Sequence, residues 1–139
     1  MFDGDLVIRW WSEWVGSLDG RPTMYVTPLL ALFGCRVDLH KFVGADDPGC
    51  FHTHPAWAIR IILRGGYVEE VYGRFYDGWP PGRVGIIRPT TCHRISHLRA
   101  SGEPAYSLWI RGPKVAKIQL RGDGWPAHLR PIMGAEVVP

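Results

Sequence analysis

The sequence predicts a single, mainly β domain, a sandwich or barrel of short strands, with one helix at its N-terminus. Three observations carry that prediction. Turn formers are abundant, with 17 glycines and 12 prolines in 139 residues, and they fall in clusters such as GADDPG, RGG, DGWPPG, ASGEP and RGDG. Between the clusters lie apolar runs of strand length. Seven tryptophans suit half-buried strand faces better than a helical bundle. A chain of 139 residues is most simply one domain, long enough for a core without disulfides.

The first element is the helix. Leu6, Val7, Trp10, Trp11, Trp14, Val15 and Leu18 recur at steps of three and four, the helical period. Asp3 or Asp5 can cap its start, and Gly20 with Pro22 ends it. Residues 5–18 are therefore expected to form one amphipathic helix, so that residues 1–20 pack on a β domain of residues 21–139. After Pro22 the runs at 24–26, 29–33, 35–42, 56–63, 67–73, 83–88, 106–111 and 115–120 read as strands. The tetrapeptide Asp-Gly-Trp-Pro occurs at 77–80 and again at 123–126, where Asp-Gly is turn chemistry and each tryptophan can close one end of the domain.

Composition limits the function classes. The net charge is only +3, and the basic residues Arg111, Lys114, Lys117 and Arg121 are explained by a solvated strand edge, so no nucleic-acid partner is expected. No segment approaches the roughly 18 apolar residues of a membrane span. The acidic MFDGDLVIRWW start is unlike a signal peptide. Cys35, Cys50 and Cys92 form no CxxC pair, which fits reduced thiols and a cytoplasmic location. No nucleophile elbow, phosphate loop or dinucleotide fingerprint is present.

The chemistry lies in FHTHPAW, residues 51–57. Residues two apart on a strand share a face, so His52 and His54 project together and can chelate one divalent ion. His93, which opens another expected strand, lies far enough along the chain to return across the domain as a third ligand. Alone, an HxH pair could equally be two hydrogen-bonded structural histidines.

The stretches HTHPAWAIRIILRGG and GRVGIIRPTTCH resemble the two motifs of the cupin superfamily. His52, His54 and Gly66 fall on the first motif, and Gly82 and His93 on the second, with Pro89 one place off. The likeness covers about residues 35–111. A narrower similarity links HKFVGADD, LRGGYVEE and LWIRGPK to small cupin-like proteins of bacteria and phages. The resemblance implies a jelly-roll β-barrel, a divalent metal at His52, His54 and His93, and a homodimer formed through an edge strand. It names no activity. The sequence also departs from the pattern: the usual glutamate ligand falls on Ile59, and a motif glycine on Thr90. Three neutral imidazoles would leave the ion's double charge uncancelled and favour anionic ligands.

Three functions are consistent with such a site. A non-haem Fe(II) oxygenase would act on a small anionic substrate. A metal-dependent isomerase, epimerase or lyase would act on a sugar-like acid. A non-enzymatic cupin would bind or cage a small ligand. Iron, zinc, nickel, manganese and copper all accept imidazole, so the metal's identity stays open. Tyr67, Glu69 and Arg60 are the candidate catalytic residues. Tyr67 and Glu69 share one strand face, with Glu70 on the other; Glu69 could serve as base or replacement ligand. Arg60 could hold a substrate carboxylate, with Arg88 and Arg111 as weaker versions of the idea. His97, four residues past His93, would face the same side on a continuing strand. The facing of His40 is ambiguous, and a role supporting the ligands or lining the pocket is open to it. Cys50 is expected in a loop, and Cys92 in packing.

Overall fold

The structure is a computed structural model that describes residues 21–125 and 136–137. The helix expected over residues 5–18 lies outside the described residues. Within them are eleven strands: β1 (Met24–Leu32), β2 (Cys35–Phe42), β3 (Phe51–His52), β4 (Ala58–Arg64), β5 (Tyr67–Val71), β6 (Tyr76–Trp79), β7 (Val84–Ile87), β8 (His93–Leu98), β9 (Ala105–Arg111), β10 (Gln119–Arg121) and β11 (Glu136–Val137). They form a five-stranded sheet ordered β1-β2-β9-β4-β7 and a six-stranded sheet ordered β11-β10-β3-β8-β5-β6. All pairings are antiparallel except β10 with β11. Among the described residues no helix is long and apolar enough to cross a membrane.

The expected closed barrel is corrected to two stacked sheets, because among the described residues no strand pairing joins them. Chain order shows why at one edge. β6 hands over to β7 through Pro80–Pro81–Gly82, and two prolines have no amide hydrogens with which to carry a ladder from one sheet to the next. β6 itself lies inside the DGWPPG stretch that composition marks as turn. The runs 24–26 and 29–33 join into one strand, β1, with an irregularity between Pro28 and Leu30. It ends in the two-residue turn Phe33–Gly34, where both residues have positive φ, 52° and 77°. That is the turn type whose twist matches a tight hairpin.

The sides of the five-stranded sheet are reversed from the usual pattern. Its inward residues include Asp38, His40, Arg60 and Ser107, all buried. Its outward residues are largely apolar and align across the strands. One row runs Leu30, Val37, Ile110, Ile59, Ile86, and a second runs Thr27, Leu39, Leu108, Ile61, Val84. Val84 and Ile86 are 59% and 65% exposed. Between the sheets, Ile62, Tyr67, Trp79, Ile95 and Ala105 make one apolar cluster, and Ala58, Ile87 and Trp109 another. The polar residues of β2, β4 and β9 thus sit among these clusters, facing the histidines.

Candidate metal centre

Strand pairing brings the histidines together. His52 on β3 stands directly opposite His93 on β8, a position that sets Cβ atoms within about 5.5 Å. β10 pairs with β3 on its other side. Beyond β3, the Thr53 amide donates to the Gln119 carbonyl (3.0 Å) and the Gln119 amide to Thr53 Oγ1 (2.8 Å). The indole N–H of Trp125, the second Asp-Gly-Trp-Pro tryptophan, donates to the Phe51 carbonyl at 2.8 Å. These bonds fix the segment and carry His54 back over the pair. The three ring centroids are 5.0–5.1 Å apart. One nitrogen from each lies within 4.8 Å of the others.

Glu69 sets the tautomer of His93. His93 Nδ1 lies 2.8 Å from Glu69 Oε2. The same carboxylate accepts two bonds from the Arg60 guanidinium (2.8 and 2.7 Å) and one from the Trp79 indole (3.2 Å). Burial alone would raise the Glu69 carboxyl, but the bonds and charges of His93 and Arg60 hold it well below the usual carboxylate range. An ionised acceptor requires the proton on Nδ1, which leaves the Nε2 lone pair of His93 free. That nitrogen is 2.9 Å from His54 Nε2. Two imidazole nitrogens bound at right angles to one ion at about 2.1 Å would be about 3 Å apart, so the spacing suits a shared ion.

Electrostatics agrees with the donor set. Burial, with His93 second, lowers His52 to about 3. Burial, then the neighbouring histidines, holds His54 well below its ordinary value. Neutral imidazoles with convergent lone pairs are what a divalent transition ion requires. The rings face a cavity of about 40 Å³ that is also lined by His40, Asp46, Arg60, Tyr67 and Trp109.

The structure therefore gathers His52, His54, His93, Arg60, Tyr67 and Glu69 in one buried neighbourhood, but it changes what several of them can do. Both Glu69 oxygens are engaged, which leaves it neither a free base nor a replacement ligand. Arg60 is spent on Glu69 and on the Tyr67 hydroxyl (3.3 Å), so it is not poised to take a substrate carboxylate. Its Nε is buried without a partner. Glu70 faces away and pairs with Arg94 at 2.8 Å. His97 is exposed, because the pairing of β5 with β8 shifts register between Val68 and Glu69; the extra residue on β8 turns the strand over before His97. His40 points inward, buried, and stacks on Trp109 with ring centroids 5.4 Å apart. Ile59 faces outward, so the inward neighbours of the expected glutamate position are Ala58 and Arg60. The Cys50 thiol is buried in a loop and pushed up to about 11, chiefly by burial, which keeps it protonated. Cys92 is half-buried and lines a separate cleft.

Sequence reasoning missed Asp46 and Trp79. Asp46 lines the histidine cavity from the β2–β3 loop, and its Oδ2 accepts the Ile95 amide at 2.7 Å. Burial outweighs that bond and the nearby cations and raises its carboxyl to about 6. Trp79 lies with the Arg60 guanidinium 3.6 Å from its ring centre and that of Arg83 3.8 Å away. The only sequence signals were GADD before the histidines and the repeated Asp-Gly-Trp-Pro.

No family model matches the chain, and no curated protein does. Solved structures do. A Ralstonia eutropha JMP134 protein provisionally named a mannose-6-phosphate isomerase superposes with TM-score 0.60 at 23% identity, over 68% of this chain and 88% of that one. A cupin-like protein of Thermotoga maritima gives 0.58 at 20% identity, over 79% and 84%. Fe(II)-HppE, with an alternative substrate, gives 0.58 at 9% identity, over 70% of this chain and 54% of that one. At these identities the likeness is one of fold.

Proposed function

We propose that this chain, whose fold is that of the cupin structures it resembles, holds one divalent metal ion through His52, His54 and His93 to act as an oxygenase on a small anionic substrate. The observation that carries the reading is the convergence of three imidazoles from two segments, with His93 Nδ1 held by Glu69. The bound ion, Fe(II) in this reading, would supply Lewis acidity and one-electron chemistry. The chain's residues do the rest. Glu69 orients His93, and Arg60 and Trp79 hold Glu69. Trp109, Tyr67 and His40 enclose the cavity and limit water. Among the described residues no carboxylate joins the histidine group, so the charge of the ion favours an anionic partner.

The test is elemental analysis of protein purified without added metal. The wild type and Cys35→Ala should carry stoichiometric metal, and His52→Ala and His93→Ala should lose it. Oxygen uptake by the Fe(II)-loaded wild type, screened against small carboxylates, then addresses the reaction. Equal metal content in all four proteins refutes the assignment.

A second reading, proton transfer in an isomerase, epimerase or lyase, is favoured by Asp46. Its carboxyl, near 6, faces the same cavity and can exchange a proton near neutral pH. Solvent-proton exchange into substrate without oxygen would distinguish it. We also infer a homodimer. The support is the apolar outer face of the five-stranded sheet, which a second copy would cover.

A further inference from the structure

A second cavity lies on the far side of the Arg60–Glu69 pair from the histidines. It is a cleft of about 650 Å³ between the β5–β6 edge of one sheet and β7 of the other, with β10 at its side. That volume is in the range of small-molecule sites. Five arginines line it, Arg60, Arg74, Arg83, Arg88 and Arg121, against two carboxylates, Glu69 and Asp77. Both carboxylates are already taken. Glu69 holds Arg60 at 2.7 Å, and Asp77 holds Arg83 at 2.9 Å. Three guanidiniums are left over, and none has a carboxylate partner among the described residues.

Those three come from separate segments. Arg74 lies on the β5–β6 turn and Arg121 on β10, its guanidinium 5.5 Å from the Tyr72 ring centre. Arg88, its guanidinium 6.0 Å from the Trp57 ring centre, opens a turn closed by the Thr91 amide on the Arg88 carbonyl (3.1 Å), which puts Thr90 and Thr91 beside it on the cleft wall. Lone surface arginines are ordinary. Three that line one concavity raise its potential and favour a bound anion. At the floor, Arg60 is 3% exposed and held by Glu69, a fixed positive charge beneath the cleft.

We propose that this cleft binds a small polyanion, a phosphorylated or multiply carboxylated molecule, at a site separate from the histidine cavity. Guanidiniums grip such groups through paired N–H bonds, and the threonine hydroxyls add donors. The side chains of Tyr72 and Phe75 offer apolar contact for the rest of the molecule. The site needs no metal.

Calorimetric titration of the full chain with inorganic phosphate, and separately with citrate, at matched ionic strength tests it. The expected result is one saturable site for at least one of the two. Affinity should fall at least about tenfold in Arg88→Ala and in Arg121→Ala, and be kept within about twofold in His54→Ala. Unchanged affinity in both arginine variants overturns the proposal. So does loss in His54→Ala, which would put the anion on a histidine-bound ion. Binding that never saturates, or is abolished by matched chloride, overturns it as well. The metal assignment could fail while this result stood, since His54→Ala separates the two sites.

Discussion

Replacing Glu69 with glutamine tests the centre of the site. The carboxylate accepts four bonds, two from Arg60, one from Trp79 and one from His93. Glutamine has nearly the same shape, but it is uncharged and presents one acceptor and one donor. The Arg60 side chain is 4% exposed, so Glu69→Gln strands a buried charge, a loss worth roughly 3–5 kcal/mol. Domains of this size are stable by only about 5–15 kcal/mol, so the urea midpoint should fall steeply. A glutamine amide turned toward His93 would push the proton to Nε2, the nitrogen that faces His54. Loss of such a partner typically weakens metal affinity about 10–100-fold. The assay pairs urea unfolding of the metal-free protein with competitive zinc titration. The double variant Arg60→Met with Glu69→Leu separates the two effects. It removes both charges, and stability should largely return, whereas metal affinity should stay low because His93 still lacks its acceptor. A loss under about 1 kcal/mol in Glu69→Gln together with wild-type zinc affinity would refute the reasoning. Wild-type affinity in the double variant would refute the orienting role alone.

Burial, then Arg36, lowers His40 to about 3. Its folded value thus lies below the unfolded 6.5, and the stability it contributes is full above pH 6.5 and declines as pH falls toward 3; by pH 4.5 the loss is about 2–3 kcal/mol. Comparing urea midpoints at pH 7 and 4.5, His40→Phe should show a smaller drop than the wild type. Asp46 has the opposite sign: its raised value makes it favourable below about pH 4 and costly as pH rises through 6. Asp46→Asn should therefore be more stable than wild type by about 1–3 kcal/mol at pH 7.5 and level with it at pH 4, a pattern that denaturation at the two pH values would show or exclude. Ile59→Lys puts a charge in the middle of the outward apolar row; light scattering should find the wild type dimeric and this variant monomeric, with the unfolding midpoint little changed.

Strand-length runs and turn clusters were legible because both are local: the runs at 35–42, 56–63, 67–73, 83–88 and 106–111 fall on β2, β4, β5, β7 and β9, whereas of the run at 115–120 only the last two residues are strand. The histidine group was legible through motif spacing. The failures were failures of facing and of long-range contact. Alternation along CRVDLHKF reads the same in either orientation, and burial of Asp38 and His40, with Val37 and Leu39 outward, follows from partners on β9 and β4. One extra residue near Ser96 reversed His97, and nothing local in RISHLRA signals a bulge. Counting along the motif placed the lost ligand at Ile59, although the inward positions of β4 are Ala58, Arg60 and Ile62. The bond from Glu69 to His93 spans 24 residues, a separation that no spacing rule encodes.

The distribution of polarity is itself an argument about function. A chain selected only for stability would put Val37, Leu39, Ile59 and Ile61 between the sheets and leave Asp38, His40 and Arg60 to water. Here the titratable groups are inside. Asp46 and His40 are held away from their ordinary values by burial, and the Arg60–Glu69 pair costs desolvation that apolar residues would avoid. Such penalties persist where a site requires them. In this fold they fall on the strands that surround the three imidazoles. The outward apolar rows are the other half of the same reversal: with the interior given to the site, the burial that apolar side chains seek must come from a covering surface. Dimerisation and metal binding are therefore coupled expectations. A monomeric variant such as Ile59→Lys that kept its metal affinity would show that the outer face supports the assembly alone, and one that lost it would show that the covered sheet also holds β4, and with it Arg60 and Glu69, in register with His93.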